Sequence, residues 1–182
     1  QEFYEDGHLF YEGFFVDDLR HGKGTIYYNK GSGFDQKKSK WYQGEFENGE
    51  RNGEGIEFFE TGTKRYEGGI KNGLREGLGR LYYKDGSVRY EGNFVAGLKE
   101  GKGTLFYQKT GRKAYEGIFK NGKRNGKGVL YYPTGHKMFE GEFKNGVRVN
   151  FGTEYHENGK MLYQGNYIKG IREGQGKLFD EQ

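Results

Sequence analysis

The sequence predicts an all-β protein: one elongated, twisted antiparallel sheet of stacked β-hairpins, with about seven repeats. Three observations predict it. A triplet like Tyr-Glu-Gly recurs at a nearly constant interval, a Gly-x-Gly motif follows each triplet at a fixed distance, and turn residues separate them. A fixed period of this length is typical of repeat proteins, in which each unit packs only against its neighbours.

The triplet begins with an aromatic residue in all seven copies, which are 24 or 25 residues apart after a first interval of 31. Nine residues after each triplet glycine comes Gly-x-Gly, except in the sixth copy, where Asn150 replaces the first glycine. Asn tolerates the left-handed backbone conformation, so we expect the fold to persist there. The triplets start at Tyr11, Tyr42, Tyr66, Tyr90, Tyr115, Phe139 and Tyr163.

Each unit has the residue pattern of a β-hairpin. In the copy at 66–71, ring and apolar residues alternate with charged ones, so the two sets take opposite faces of a strand. The strand ends at Asn72-Gly73, a pair that tolerates positive φ at both turn positions. A second strand follows Gly-x-Gly and ends at another turn glycine, Gly86. Because glycine interrupts every helical periodicity, we expect about fourteen or fifteen strands and no helices.

A second aromatic column lies in the second strand of each unit, and the sequence leaves its face open. Strict alternation turns it away from Leu81 and Tyr83. Whether it joins the face of Tyr66 and Ile70 depends on turn length and on any bulge at the glycines. The column comprises Tyr27, Phe58, Tyr82, Phe106, Tyr131, Tyr155 and Phe179.

The domain organisation that we expect is one array over residues 1–182. A partial repeat spans 1–7, and the full repeats start near residues 8, 40, 64, 88, 113, 137 and 161. An inserted loop, 29–40, is rich in glycine and serine and then basic, which predicts mobility. Because residues 3–7 already have the pattern of a repeat end, the sequence is expected to begin inside a longer array.

Composition favours a thin sheet. Hydrophobic residues make up 32% of the chain and aromatic residues 18%, and disordered chains are poor in aromatic residues. The chain has no cysteine, which excludes disulfides and cysteine-based zinc sites. No apolar run reaches membrane-spanning length, so a cytoplasmic location is expected. The net charge of +4 permits an anionic partner without requiring one.

The order Tyr-Glu-Gly-x-aromatic, turn, Gly-x-Gly resembles the pattern of the MORN (membrane occupation and recognition nexus) family, and the resemblance covers residues 8–180. It implies a sheet of stacked hairpins that serves as an interaction module. Members occur in kinases, methyltransferases, junctional membrane proteins and ciliary or cytoskeletal proteins. The resemblance therefore implies association with membrane or cytoskeleton but no single activity.

The first-strand rings are the leading candidate for a partner site. A sheet without a covering layer leaves rings accessible, and exposed apolar surface marks binding sites. We expect a non-catalytic scaffold that holds a partner protein's peptide or helix in an aromatic groove. The alternative is that the rings pack only against one another as a thin core. The groove residues are Tyr42, Phe46, Tyr66, Tyr90, Phe94, Tyr115, Phe119, Phe139 and Phe143.

A basic residue seven positions after each triplet glycine defines a second candidate, an anionic-ligand row. As a peripheral membrane module, it would bind acidic phospholipids, or it would bind an acidic peptide. Alternatively it is a solvated turn row, partly neutralised by acids such as Glu50, Glu76, Glu100 and Glu173. The row comprises Arg20, Arg51, Arg75, Lys99, Arg124, Arg148 and Arg172.

No catalytic, cofactor or metal site is predicted. The triplet glutamates form a structural column with one acid per repeat, whereas catalytic acids need unequal environments. The four histidines occupy three different repeat positions, and Gly-Lys-Gly lacks the spacing of a phosphate-binding loop. We expect no enzyme activity and no nucleic-acid partner. The remaining alternative is a targeting or regulatory arm of a larger enzyme. The unpaired backbone of the terminal strands, at 3–5 and 177–180, predicts a homodimer formed through such an end or through the grooves themselves.

Overall fold

The computed structural model describes residues 1–29 and 39–180. Its described residues form no helix; fifteen strands are hydrogen-bonded in sequence order as one antiparallel sheet, which confirms the predicted fold class. The predicted mobile loop falls mainly on 30–38, outside the described residues. The strands are β1 (Glu2–Phe3), β2 (Leu9–Val16), β3 (Leu19–Tyr27), β4 (Lys40–Glu47), β5 (Glu50–Phe58), β6 (Lys64–Lys71), β7 (Leu74–Tyr82), β8 (Val88–Val95), β9 (Leu98–Phe106), β10 (Lys113–Lys120), β11 (Lys123–Tyr131), β12 (Lys137–Lys144), β13 (Val147–Tyr155), β14 (Met161–Ile168) and β15 (Ile171–Leu178).

The chain divides into two compact units. Unit 1 comprises Gln1–Ser87 with Val95–Gly97, and unit 2 comprises Val88–Phe94 with Leu98–Gln182. Unit 1 holds β1 to β7, and unit 2 holds most of β8 together with β9 to β15. In each unit the described strands form a meander in which neighbours in sequence are neighbours in the sheet.

The hairpin turns have the backbone that Asn-Gly pairs predict. Their first residue has φ between 47° and 52°, and their second has φ between 61° and 89°. Positive φ at both positions defines the type I′ turn, whose twist matches that of the strands it joins. Asp17-Asp18, Ala96-Gly97 and Lys169-Gly170, where the turn signal is weaker, adopt the same conformation.

A bulge interrupts the second strand of each hairpin at the first glycine of Gly-x-Gly. Gly126, for example, has a φ of 71°, and the pairing of β10 with β11 shifts register beside it. Glycine in the left-handed region is the usual residue at such a bulge. Asn150 takes the same conformation with a φ of 57°, and its side-chain amide donates to Glu142 at 2.6 Å. The prediction that the fold persists at Asn150 is confirmed.

The structure assigns the second aromatic column to a face. The Tyr82 hydroxyl donates to Glu67 at 2.7 Å, and the Tyr27 hydroxyl donates to Glu12 at 3.2 Å. The column therefore lies with the triplet glutamates, on the side opposite the triplet rings. We call the side with the triplet rings the ring face. The other side is the glycine face, because paired glycine backbones are uncovered there.

The core is one ring thick. Tyr90 folds back over Gly92 and Gly103, and a Cβ on Gly103 would lie 2.4 Å from the Tyr90 hydroxyl oxygen. That hydroxyl donates to the Asn93 carbonyl at 3.1 Å, and the Phe94 ring packs edge-on with its centroid 5.2 Å away. The missing side chains of the glycines therefore make the space that the tyrosine fills.

We predict that Ala96→Asn stabilises the protein. Ala96 has a φ of 47°, in a region that costs most L-residues roughly 1–2 kcal/mol and that Asn tolerates. The free energy of unfolding, measured by urea titration, should rise by about 1 kcal/mol. Asn121→Ala, at the equivalent turn position, should lower it by a similar amount. A loss of stability in Ala96→Asn would contradict the turn assignment.

We also predict that Gly103→Ala costs about 3 kcal/mol of unfolding free energy, because its methyl group overlaps the buried Tyr90 ring. Gly101→Ala is the matched control. Gly101 has a φ of 67° and no atom within 4 Å of the place that a methyl group would take, so only a backbone cost of about 1 kcal/mol is expected. Equal losses in the two variants would show that ring packing does not distinguish these glycines.

Candidate functional site

The rings predicted to line a partner groove are buried. None of the nine is more than 3% exposed, which corrects the expectation that they are accessible. Glycine backbones lie beneath the triplet rings among them, and neighbouring rings cover their edges. Tyr90 contacts Phe119 at 5.3 Å between centroids, and Tyr115 contacts Phe143 at 5.4 Å. They form the thin core that the sequence left as an alternative. Their contact with a partner stays a prediction. The rings are Tyr42, Phe46, Tyr66, Tyr90, Phe94, Tyr115, Phe119, Phe139 and Phe143.

The basic row covers these rings from above. In each repeat the guanidinium carbon or ammonium nitrogen lies 4.5–5.7 Å from the centroid of the triplet ring, a distance typical of cation–π contacts. The two predicted sites are thus one layered structure: glycine pair, ring and cation. The constant spacing between basic and aromatic residues was the signal in the sequence. The stacked cations are Arg20, Arg51, Arg75, Lys99, Arg124, Arg148 and Arg172.

The basic row also ties each repeat to the next. The Arg51 carbonyl accepts a hydrogen bond from the amide of Gly73 at 2.9 Å, and the Arg51 guanidinium donates to the Gly73 carbonyl at 2.6 Å. The amide bond recurs from Gly49 to Arg20, Gly97 to Arg75, Gly122 to Lys99, Gly146 to Arg124 and Gly170 to Arg148. The row therefore has a structural role in addition to its charge.

Two of the acids that the alternative interpretation placed beside the row accept hydrogen bonds from the next turn. Glu76 accepts from the backbone amide of Ala96 at 2.9 Å, and Glu100 accepts from that of Asn121 at 2.8 Å. Each carboxylate satisfies the first amide of a type I′ turn in the following repeat. The sequence could not show this, because the acid and the turn are about twenty residues apart.

Carboxylates from another column pair with the row. Glu57, 7% exposed, pairs with Arg51 at 3.1 Å and with Arg75. Glu154 bridges Arg148 and Arg172 in the same way, and Glu2 pairs with Arg20 at 3.1 Å. Sequence reasoning missed these acids. Their signal was an otherwise aliphatic column, Ile26, Leu81, Leu105, Leu130 and Leu178, interrupted by glutamates.

Burial shifts the titration of groups in this layer. Desolvation raises the pKa of Tyr42, Tyr90 and Tyr115 to about 12 and also raises that of Tyr66. For Lys99, burial lowers the pKa, and the nearby charge of Arg89 lowers it further. The tyrosine hydroxyls are thus held in the neutral form.

The triplet glutamates have repeated partners on the glycine face. Glu67 accepts from Lys64 at 2.9 Å and from the Tyr82 hydroxyl, and these hydrogen bonds lower its pKa. Glu116 pairs with Lys113 at 3.0 Å, and Glu140 pairs with Lys137 at 2.7 Å. The same environment in successive repeats fits a structural column.

The glycine face carries an open groove in each unit. The groove of unit 1 has a volume of about 700 Å³ and a floor of paired glycines such as Gly44 and Gly55. It is lined by Glu12, Glu45 and Glu54, which make no ion pair within the described part of the chain. Sequence reasoning did not select this face, because its acids have the pattern of a structural column.

The groove of unit 2 measures about 540 Å³ and is more apolar. Phe151 and Val129 line it, and Phe151 is 57% exposed. Glu116, Glu140 and Lys127 stand at its sides. Among residues 1–29 and 39–180, no group of three or more His, Cys, Asp or Glu side chains could hold a metal ion. The same residues contain no helix that is long and apolar enough to cross a membrane.

Comparison with family models identifies the repeat family of the chain. The MORN repeat matches residues 11–33, 42–64, 66–88, 90–112, 115–137 and 163–180, and a MORN repeat variant matches 1–17 and 152–169. These matches cover well over half of the sequence, so the chain belongs to the MORN-repeat family. The stretch 138–151, between matches, contains Asn150 in place of the first bulge glycine. A search of curated proteins gives no significant match.

Membership of the family defines the class of function. The MORN repeat is a non-catalytic type of repeat that generally mediates contacts with proteins or membranes. Proteins that contain it are often associated with membranes.

We predict that alkali unfolds the protein through its buried tyrosines. The unfolded hydroxyls ionise near their ordinary pKa of 10.0, whereas those of Tyr90 and Tyr115 resist ionisation up to about pH 12 in the folded state. Their contribution to stability is therefore complete below pH 10 and is lost as the pH rises to about 12. Tyr90→Phe with Tyr115→Phe should lose less unfolding free energy between pH 8 and pH 11 than the parent protein.

At pH 8 the same double variant should be somewhat less stable than the parent, by about 1 kcal/mol for each lost hydroxyl hydrogen bond. The sixth repeat shows that the position accepts phenylalanine, since Phe139 is fully buried there. Urea titrations at the two pH values measure both effects. An identical loss of stability in parent and variant would contradict the assignment to these two hydroxyls.

Proposed function

We propose that this protein is a non-catalytic scaffold that binds a segment of a partner protein on its glycine face. The observation that carries the proposal is the contrast between the two faces. Rings and cations fill the ring face, whereas the glycine face has grooves that are floored by bare backbone. A concave surface with exposed apolar side chains is the usual form of a binding site.

The lining of the grooves indicates the chemistry of the segment. In unit 1, Glu12, Glu45 and Glu54 outnumber Lys23, so the groove favours basic side chains. In unit 2, exposed Phe151 favours an apolar side chain. We therefore propose a partner segment with both basic and apolar residues.

The predicted groove rings support this function indirectly. Tyr42 packs on Gly44 and Gly55, and Tyr115 packs on Gly117 and Gly128, the glycine pairs whose other side floors the two grooves. Replacement of these rings by alanine would remove the core, and a resulting loss of binding would not identify a contact. Tests of binding are therefore better made with exposed groove residues.

Phospholipid binding through the basic row is the second candidate, and it is less favoured. All seven cations cover rings, and Arg20, Arg51, Arg75, Arg148 and Arg172 already pair with carboxylates. A cytoplasmic location, an attachment to cytoskeleton or membrane, a role as the arm of a larger enzyme and a homodimer are further predictions. Light scattering at micromolar concentration tests the homodimer.

Phage display of random twelve-residue peptides tests the proposed binding function. The affinity of the protein for the selected, purified peptides is then measured. We expect enrichment of Lys or Arg together with apolar residues. Glu45→Gln with Glu54→Gln should weaken the binding of basic peptides at least tenfold. The control, Glu50→Gln with Glu60→Gln, makes the same change of charge at exposed positions outside the groove and should leave affinity within about twofold.

For unit 2, Phe151→Ser should weaken the binding of peptides that carry apolar residues. The loss of binding free energy should be about 2 kcal/mol where the Phe151 ring is an anchor. Ile168→Ser is its matched control, because Ile168 is 52% exposed and does not line the groove. Both variants should keep the parent's free energy of unfolding. Selected peptides that bind all variants equally, or that are acidic, would count against the glycine face.

A further inference from the structure

Two cations of the basic row lack the carboxylate that their equivalents have. Among the described residues no carboxylate lies within ion-pair distance of Lys99 or Arg124, whereas the other five members of the row each have one. Both belong to unit 2 and are successive members of the row. The two cations without a carboxylate are therefore neighbours in the row.

The strand register shows where the missing carboxylate would stand. Glu57 lies opposite Tyr66 in the ladder, and Glu154 lies opposite Tyr163; from there each bridges two successive cations. Leu105 lies opposite Tyr115 in the same register, between Lys99 and Arg124. An aliphatic side chain thus occupies the bridging position at this pair.

The pair otherwise has the same surroundings as its equivalents. The Lys99 ammonium is 5.1 Å from the centroid of Tyr90 and 5.8 Å from that of Phe119. The Arg124 guanidinium is 5.3 Å from the centroid of Phe143 and donates to the Gly146 carbonyl at 3.3 Å. Ring quadrupoles stabilise these charges only partly, and a half-buried cation without a counter-ion favours an anion from outside.

We propose that Lys99 and Arg124 form a binding site for an acidic side chain, Asp or Glu, of a partner protein. At two equivalent positions, those of Glu57 and Glu154, the occupant is a carboxylate that places one oxygen on each cation, as Glu57 does with Oε1 on Arg51 and Oε2 on Arg75. The site recognises a carboxylate by the same charge-assisted geometry. It lies on the ring face and does not depend on the proposed role of the glycine face.

The experiment uses a hexaglutamate peptide as the probe and titration calorimetry as the measurement. Leu105→Glu supplies the carboxylate from within the chain and should weaken hexaglutamate binding at least tenfold. Leu105→Gln makes the same change of shape without charge and should leave affinity within about threefold. Leu105→Glu should also melt at a higher temperature than Leu105→Gln, because its side chain bridges the two cations.

A second pair of variants tests the site without adding an acid. Lys99→Met keeps the stem over the Tyr90 ring and removes the charge, so hexaglutamate binding should fall at least tenfold. Lys102→Met removes the same charge from an exposed position on the glycine face and should change affinity less than threefold. Equal affinity of hexaglutamate for the parent, Leu105→Glu and Lys99→Met would overturn the proposal.

Two further probes separate the sources of the anion. Inorganic phosphate and vesicles with 30 mol% phosphatidylserine, roughly as anionic as a strongly charged cytoplasmic leaflet, are titrated in parallel. Stronger binding of hexaglutamate than of either probe, lost in Lys99→Met, supports a protein carboxylate. Binding of vesicles or phosphate that is lost in Lys99→Met, without binding of hexaglutamate, overturns it in favour of a phosphate ligand.

Discussion

The packing of an aromatic ring onto a pair of glycines is the interaction on which the rest of this structure depends. A sheet with one layer has no second sheet or helix to bury its apolar side chains. Here the ring folds back over its own strand and the next, so the sheet serves as its own cover. The ring then offers a flat surface to the basic residue above it. Stability, cation placement and the bare glycine floor of the opposite face follow from this one arrangement.

The cation layer explains why charge and burial coexist in so polar a chain. A half-buried guanidinium is unfavourable unless it is paired, and Glu57 and Glu154 each satisfy two at once. Guanidinium N–H groups also donate hydrogen bonds to the next turn, as from Arg51 to the Gly73 carbonyl. The row is therefore mainly an internal element of the sheet, and its available charge is concentrated at a few positions rather than spread along it.

The fold was predictable from the sequence because its signals are local. Asn72-Gly73 specifies a turn, Gly77 specifies the bulge, and Gly79 leaves the space in which the Tyr66 ring packs. Seven copies of this pattern at a nearly constant interval do not arise by coincidence. The site was less predictable because several of its contacts, such as that of Glu76 with the Ala96 amide, join residues about a repeat apart. Neither the stacking of Arg75 on Tyr66 nor the burial of that ring follows from alternation alone. The face of Tyr82 depended on a bulge, whose effect on register is known only once the strands are paired.

The two kinds of turn in this sheet differ in how much length they tolerate. Turns within a hairpin are held by type I′ geometry and by bonds to the preceding repeat, as at Gly73. Turns between hairpins close with a hydrogen bond from the amide at the end of one strand to a carbonyl just before the next, as from Tyr83 to Ser87. The amide of Tyr28 still reaches the carbonyl of Ser39 at 2.9 Å across the longest of these turns. β3 and β4 pair in the usual register on either side. Evolution and protein engineering can therefore insert foreign sequence in the turns between hairpins. The turns within hairpins must keep their length, because they hold successive repeats in register.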